Sequence, residues 1–409
     1  MKHLIGLVLG TEEDWPTAFE ELAARVGRFE WRGATHELVV ERVLNEPFDL
    51  RYRPRYALVV DRVGWWYLLP REWLKKVALM DDVYLLNNPF TFQAMEKHSA
   101  YCAMMRLRLK VPETWLIPHK QPPWNERFPT TAARYNLGFD LAEIGERVGY
   151  PLYLKPFDGG QWRGVSRAGA LDELRRRYDE SGEQLMHVQS AVDGFEAFAR
   201  SLSIGAETSV MWFEPERPLH DRYQVRHDFL SPELGYEVET ISKVVNAFFR
   251  WEFNSCESIV RGGEVFPIDY ANASPDVALT SLHYYFPWAI TALVRWCAFC
   301  VAQGRQMRID VDPQPWFEIG DRDDLSYDEK LRAYRRLADE HFEADVYADF
   351  CAGPLSHLDE AAQGWFSSGE FDDVLVETVQ ATFPAYEHER FVAHYRGLLA
   401  AWAADAGRA

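Results

Sequence analysis

Residues 256–276 read CESIVRGGEVFPIDYANASPD, two runs of strand-forming residues on either side of Arg261-Gly262-Gly263-Glu264. How these runs pair decides the fold. A two-residue turn at Gly262-Gly263 sets Arg261 opposite Glu264 and Glu257 opposite Ile268, which places a carboxylate on the face of Phe266, Ile268 and Tyr270. A three-residue loop, Gly262 to Glu264 with a glycine-dependent bulge, moves the register by one. Val260 then faces Phe266, Cys256 faces Tyr270, and Glu257 faces Asp269. The second register is expected, because it sorts apolar from acidic side chains. Directly opposed Cβ atoms lie about 4.5–5.5 Å apart, where like charges repel unless a cation stands between them. The pair therefore calls for a divalent ion with oxygen ligands, such as Mg²⁺, with the Asn272 carbonyl as a third donor. A solvated edge hairpin with two unrelated acids is the alternative.

The rest of the composition bounds what such a site serves. A chain of 409 residues and 47.5 kDa predicts two to four domains. Forty-four Lys and Arg against 63 Asp and Glu give a net charge of -19, which repels phosphate backbones, so nucleic acid is not an expected partner. No run reaches the roughly 18 consecutive apolar residues of a membrane span, and MKHLIGLVLGTEEDW follows a short apolar segment with acids, so no membrane contact and a cytoplasmic location are expected. The five cysteines, Cys297-x-x-Cys300 among them, read as reduced core thiols. Trp65-Trp66-Tyr67 reads as core or groove lining.

Along the chain, KHLIGLVLG predicts a buried strand and TEEDWPTAFEELAARVG a capped amphipathic helix. HELVVERVL, YALVVDRV and DDVYLLNNP follow as strands, with WLKKVALM helical, an α/β unit over residues 1–94. A second unit, 95–185, opens with the helical TFQAMEKHSAYCAMMRLRLK and the strand VPETWLIP. The Pro-rich HKQPPWNERFPTTAARYN is expected to be a loop. YPLYLKPFDGGQWRGVSRAGALDELRRRYDE then runs strand, glycine-rich loop, strand, helix. Glycines let backbone N–H groups approach phosphate oxygens closely, and lysine adds a point charge. A third unit, 186–288, holds the strands QLMHVQSAV and FARSLSIGAETSVMWFE, the helix SPELGYEVETISKVVNAFFRW and the hairpin. Residues 289–409 alternate helical stretches with acidic loops.

Taken in order, these segments over residues 1 to about 290 resemble the ATP-grasp superfamily, preceded by the Rossmann-like α/β domain such enzymes often carry. The fold class implied is mixed α/β and α+β with a helical C-terminal extension. By that resemblance Lys97, in MEKHSAYCAMMRLRLKVPETWLIP, and Lys155, in YPLYLKPFDGGQWRGV, meet the phosphates of ATP, with Gly159, Gly160 and Gly164 in the loop over them. The backbone from Gln189 to Val192 meets adenine and Glu196 the ribose. Glu257, Asp269 and Asn272 hold Mg²⁺, or Mn²⁺ in its place. The implied reaction makes an acyl phosphate from a small-molecule carboxylate, releases ADP, and passes the acyl group to an amine such as an amino acid or peptide.

Two departures stand out. Asp269-Tyr270-Ala271-Asn272 has one residue more than the usual acid-x-Asn, which a bulge after Tyr270 restores. Ser255 stands where peptide-forming relatives carry an arginine that steadies the acyl phosphate; Arg200 is the expected substitute, then Arg163 and Arg250. Asp276 is a spare oxygen donor, and His283 and Tyr284 are more simply read as a helix start than as substrate contacts. A small-molecule kinase and a non-catalytic nucleotide binder are the competing functions. The C-terminal helices are expected to cover the acceptor side of the site, to form a homodimer, or simply to pack.

Overall fold

A computed structural model describes residues 1–44, 46–122, 125–135, 138–158, 160 and 163–407. The first five strands, β1 (Lys2–Val8), β2 (Arg28–Trp31), β3 (Ala34–Arg42), β4 (Leu58–Asp61) and β5 (Tyr84–Leu86), form one sheet in the order β2-β3-β1-β4-β5. All its pairs are parallel except the β2–β3 edge. A parallel sheet needs both faces covered. Leu58 and Val60 of β4 join one core with Trp15, Phe19 and Leu22 of helix Asp14–Val26, while Val59 joins another with Leu74 and Val77 of helix Leu68–Met80. The first helix lacks the expected side-chain cap; the Asp14 carboxylate instead accepts from the Leu279 backbone N–H at 2.5 Å.

A smaller antiparallel sheet follows, built from β6 (Thr114–Ile117), β7 (Leu152–Pro156), β8 (Ser166–Ala168) and β9 (Met186–Ser190) in the order β6-β9-β7-β8. β9 belongs to this sheet because it pairs with both β6 and β7, although it begins just past the boundary expected at residue 185. Ile117, Leu152, Leu154 and Val188 form its own small core with helices Leu141–Val148 and Leu171–Glu180. The segment expected as a Pro-rich loop contains helix Phe128–Tyr135. Pro129 falls in its first turn, where no N–H is needed.

The third sheet holds β10 (Ala197–Ile204), β11 (Glu207–Phe213), β12 (Tyr223–Gln224), β13 (Phe253–Arg261) and β14 (Glu264–Ala273), in the order β12-β11-β10-β13-β14. Helix Pro232–Phe249 packs on it, with Ser231 capping its start and Pro232 in its first turn. The predicted register of the hairpin is corrected at the turn. Gly262 (φ 59°) and Gly263 (φ 77°) make a two-residue turn with Arg261 opposite Glu264 and Val260 opposite Val265. Both φ values suit the mirror-image turns that match strand twist, which is why two residues suffice. Glu257 nevertheless faces Asp269, because the register shifts between Ser258 and Glu257 and again between Glu257 and Ser255. These bulges lie on β14, an edge strand that also tolerates Pro267.

The C-terminal helices are not a separate layer. Helix Phe286–Gln303 and residues of helices Tyr327–Phe342, Leu358–Phe366, Gly369–Thr382 and His388–Ala406 share one core with the third sheet and helix Asp14–Val26. The stretch Leu279–Gln303 is long and apolar enough to cross a membrane, yet 78% of its apolar window is buried inside the protein, as in a core helix. Cys256, Cys297 and Cys300 are buried free thiols, whereas Cys102 is exposed and Cys351 half-buried, so the expectation of core thiols holds for three of the five.

Candidate active site

Cross-strand pairing lines up a row of charges. Arg200 on β10 is the direct partner of Glu257 on β13, and Glu257 of Asp269 on β14. Arg200 Nη1 donates to Glu257 Oε1 at 3.1 Å, and Lys97 Nζ reaches Asp269 Oδ2 at 2.7 Å. The order is cation, carboxylate, carboxylate, cation, so the two acids that face each other are each compensated from the outside. Lys97 does not lie within a helix as expected. It occupies the junction between a 3₁₀ turn, Pro89–Glu96, and helix His98–Arg106, with φ 65°. A lysine held at positive φ carries a conformational cost.

The bulges are tied down by specific partners. The first shift frees the Ile268 carbonyl from the ladder, and that oxygen accepts from Tyr101 OH at 2.9 Å and Lys155 Nζ at 3.3 Å. At the second shift, Asn254 Nδ2 donates to the Tyr270 carbonyl at 3.1 Å while Asn254 Oδ1 accepts from Asn272 N–H at 2.8 Å. The extra residue before Asn272 is thus absorbed, and Asn272 lies opposite Ser255 on the face of the row. Its Nδ2 donates to Ser255 Oγ at 2.9 Å, which leaves its carbonyl oxygen toward the cleft it lines with Glu257 and Asp269. Arg200 Nη2 donates to the same Ser255 Oγ at 3.1 Å. The guanidinium therefore stands over Ser255, and it lies 5.0 Å from the Phe213 ring.

Burial sets the electrostatics. It holds the Glu257 carboxyl above the ordinary carboxylate range, against the pull of Arg200. Burial lowers Lys155 to about 8, with Asp269 opposing and Lys97 reinforcing the shift. Arg200 is held above its ordinary value; burial disfavours its charge, but Tyr223, Glu257 and Asp269 outweigh it. His187, stacked on His98, is pushed down to about 3 by burial and by His98, and stays neutral.

Lys155 is aimed by a chain of hydrogen bonds. Thr114 Oγ1 donates to the Pro112 carbonyl at 2.8 Å, so it accepts from Gln189 Nε2 at 2.8 Å, and Gln189 Oε1 then accepts from Lys155 Nζ at 2.6 Å. Beside this chain an apolar cleft of about 480 Å³ opens between the two antiparallel sheets, with Tyr153, Gln189 and Val192 on one side and Phe198, Phe213 and Ile259 on the other. Glu196 is not part of it. Its carboxylate accepts from Gly262 N–H at 3.0 Å and so closes the hairpin turn, because it points away at the solvent end of β10. The carboxylates that line the cleft are Asp193, Glu214 and Glu216.

In the glycine-rich loop, Gly160 and Arg163 line the phosphate-sized hollow with Lys97 and Lys155, and the Arg163 N–H donates to the Gly160 carbonyl at 3.2 Å. Gly164 (φ 72°) could carry no side chain, since a Cβ there would stand 2.8 Å from Pro156 Cγ. Gly159 lies outside the described residues. Arg250, the third arginine candidate, stands apart, bonded to the Asp310 carbonyl and His341. Asp276 caps Ala278 N–H and lies 3.9 Å from Arg62, while His283 and Tyr284 are buried under the C-terminal helix, Tyr284 OH bonding to Asp405. Tyr101, Thr114 and Asn254 are the functional supports that the sequence did not single out; Thr114 lay in view within the Pro-x-Thr strand, but Asn254 carries no local signal.

No family model and no curated protein matches this sequence. Solved structures do. D-alanyl-alanine synthetase A from Vibrio cholerae is similar at 12% identity and TM-score 0.50, over 74% of this chain and 98% of that one. A D-alanine–D-alanine ligase from Bacillus anthracis complexed with ATP is similar at 14% identity and TM-score 0.49, over 75% and 100%. A RiPP-associated ATP-grasp ligase from Chryseobacterium gregarium, in complex with ADP and a leader and core peptide, is similar at 12% identity and TM-score 0.48, over 75% and 98%. With two antiparallel sheets facing each other across a cleft behind a parallel α/β unit, this chain has the ATP-grasp fold.

Proposed function

We propose that the protein is an ATP-dependent ligase that activates a substrate carboxylate as an acyl phosphate, releasing ADP, and joins the acyl group to an amine of the amino acid or peptide class. The observation that carries this reading is the Arg200–Glu257–Asp269–Lys97 row beside a hollow that shares Lys155 and Ile268 with an apolar cleft large enough for a nucleoside. The cleft takes the base, and Glu214 or Glu216 replaces Glu196 as the carboxylate for the ribose. Lys97, Lys155, Arg163 and the loop around Gly160 meet the phosphates.

Glu257, Asp269 and the Asn272 carbonyl would hold Mg²⁺, or Mn²⁺; an all-oxygen set facing one hollow, without sulfur or imidazole, fits a hard cation. Such an ion supplies positive charge to the phosphate oxygens during transfer. A carboxylate oxygen of the acid attacks the γ-phosphorus as the bond to the β-phosphate oxygen breaks. The Lys155 ammonium offsets charge on the transferring group, and Arg200 meets the acyl phosphate oxygens with a planar donor fork. An amine nitrogen then displaces phosphate from the acyl carbon. Closing the loop over the hollow excludes the water that would otherwise hydrolyse the intermediate.

The bulge held by Asn254 sets Asn272 opposite Ser255 despite the residue inserted before it, which supports the ligase reading over a non-catalytic nucleotide binder. ADP release by the purified protein, measured against pools of amino acids and small carboxylates with mass spectrometry of products, tests the proposal. Nucleotide binding without turnover on any acid is the outcome that would overturn it.

A further inference from the structure

The cleft on the outer side of the charge row has an unusual wall. Arg200, Glu257, Asp269 and Asn272 line one side of it, and Trp65 and Trp66, from the loop after β4, line the other, with Met95 between. That loop is braced from both ends. Asp61 Oδ1 accepts from Val63 and Gly64 N–H at 3.0 and 2.8 Å, and Arg71 donates to the Gly64 and Trp65 carbonyls at 2.9 and 2.6 Å. The Arg71 guanidinium also stands 5.7 Å from the Trp65 ring. Trp66 meets Trp65 edge-on, at 6.4 Å and 71°, so no ring stacks on its face among the described residues. Trp66 stays 53% exposed beside the reacting groups, and the apolar surface continues from it through Tyr67, Leu68 and Leu69, all exposed.

A large aromatic on a braced loop, with no ring on its face among the described residues, next to an arginine fork is a subsite for an apolar group carried by an acid. The brace means that little ordering cost is left for binding. Resting on the ligase reading above, we infer that the carboxylate substrate bears an aromatic or branched apolar side chain, which packs on Trp66 while its carboxylate meets Arg200. Trp66 is then a specificity-determining residue supplied by the α/β unit to a reaction carried out on the third sheet. The other candidate occupant of that face is the glycine-rich loop, since a Cβ at Gly160 would come within 3.9 Å of Trp66.

The test uses the full chain with ATP and hydroxylamine in place of the amine. The acid's oxygen bonds to the γ-phosphorus with loss of ADP; the hydroxylamine nitrogen then bonds to the acyl carbon, the C–O bond to phosphate breaks, and a nitrogen proton goes to solvent, giving a hydroxamate and phosphate. N-acetyl-phenylalanine is compared with N-acetyl-glycine. We expect kcat/KM to favour the aromatic acid by at least about tenfold, Trp66→Ala to bring the ratio near one, and Trp66→Phe to keep most of it, with KM for ATP unchanged in all three. A wild-type ratio near one overturns the inference, as does a ratio that survives Trp66→Ala, which would leave the loop as the partner of that face. ATP binding with no ADP release from either acid or from the wider pools overturns the ligase reading beneath it.

Discussion

The two antiparallel sheets that face each other across the apolar cleft rest on cores of very different extent. The third sheet is continuous with the main core, which also holds helix Asp14–Val26 and the C-terminal helices, and it carries Arg200, Glu257 and Asp269 as ladder neighbours. The smaller sheet has a core of ten buried residues of its own and carries Lys155 and the glycine-rich loop. Lys155 touches the larger sheet through one hydrogen bond, to the Ile268 carbonyl. Groups that must hold fixed angles to one another, Lys97 among them, are on the half continuous with the main core, and Lys155 is on the half with the smaller core, where local opening is expected to cost less.

The sharpest way to break that comparison is to remove charge from the larger sheet. Glu257→Gln and Asp269→Asn should each lower ADP release by about a thousandfold or more. Glu257→Gln keeps an oxygen that can accept from Arg200 Nη1 but leaves that buried guanidinium without its counter-charge, so folding should be checked alongside turnover. Near-normal turnover in both variants would end the assignment of the row.

On the smaller sheet the effect should be smaller and depend on pH. Lys155 is lowered to about 8 in the folded, ligand-free protein, so its buried charge opposes folding below that pH, and the penalty fades as pH rises from about 8 toward its unfolded value. Lys155→Met should therefore stabilise the ligand-free protein by about 1–3 kcal/mol while weakening ATP binding about a hundredfold. Phosphate beside Lys155 restores its charge, so ATP affinity in the wild type should fall as pH passes upward through about 8, with proton uptake on binding at and above that pH. Calorimetry in buffers of different ionisation enthalpy reads the uptake; none at pH 8–9 argues against contact between Lys155 and phosphate.

Asn254→Ala should lower stability by about 2 kcal/mol, because the Tyr270 carbonyl and the Asn272 N–H lose their buried partner. Turnover should fall about tenfold through Asn272, and loss of stability with undiminished turnover would show that Asn272 is not needed. Glu196→Ala should do least, under about 1 kcal/mol and no change in KM for ATP. A large rise in KM would return the ribose role to Glu196.

The same comparison explains what the sequence made legible. The element order and the pairing of Glu257 with Asp269 were readable because apolar periodicity, glycine placement and a like-charge clash are local signals, whereas Lys97 and Lys155 stood out only through the family resemblance. The route to that pairing was not. A three-residue loop and a two-residue turn followed by bulges satisfy the same sorting of side chains, and what selects the bulges is Tyr101, Lys155 and Asn254, distant groups that bind the carbonyls set free. Glu196 was misplaced for a related reason: its position next to β10 is sequential, but its orientation follows the Gly262 N–H it caps. Helix Phe128–Tyr135 was hidden by prolines that read as breakers, although Pro129 falls where a helix accepts one.

Because the bulges rather than the turn align the acids, the tip of the hairpin is uncoupled from the chemistry. Its side-chain ties are the Glu196 cap on Gly262 and the Lys110–Glu264 ion pair at 3.1 Å, and four ladder pairs separate it from Glu257. The chain between Gly262 and Gly263 is thus a natural splice point, where a peptide tag or a fluorescent reporter could be grafted with the ladder holding register behind it, and such a graft would follow sheet closure from the larger sheet without touching the reacting groups.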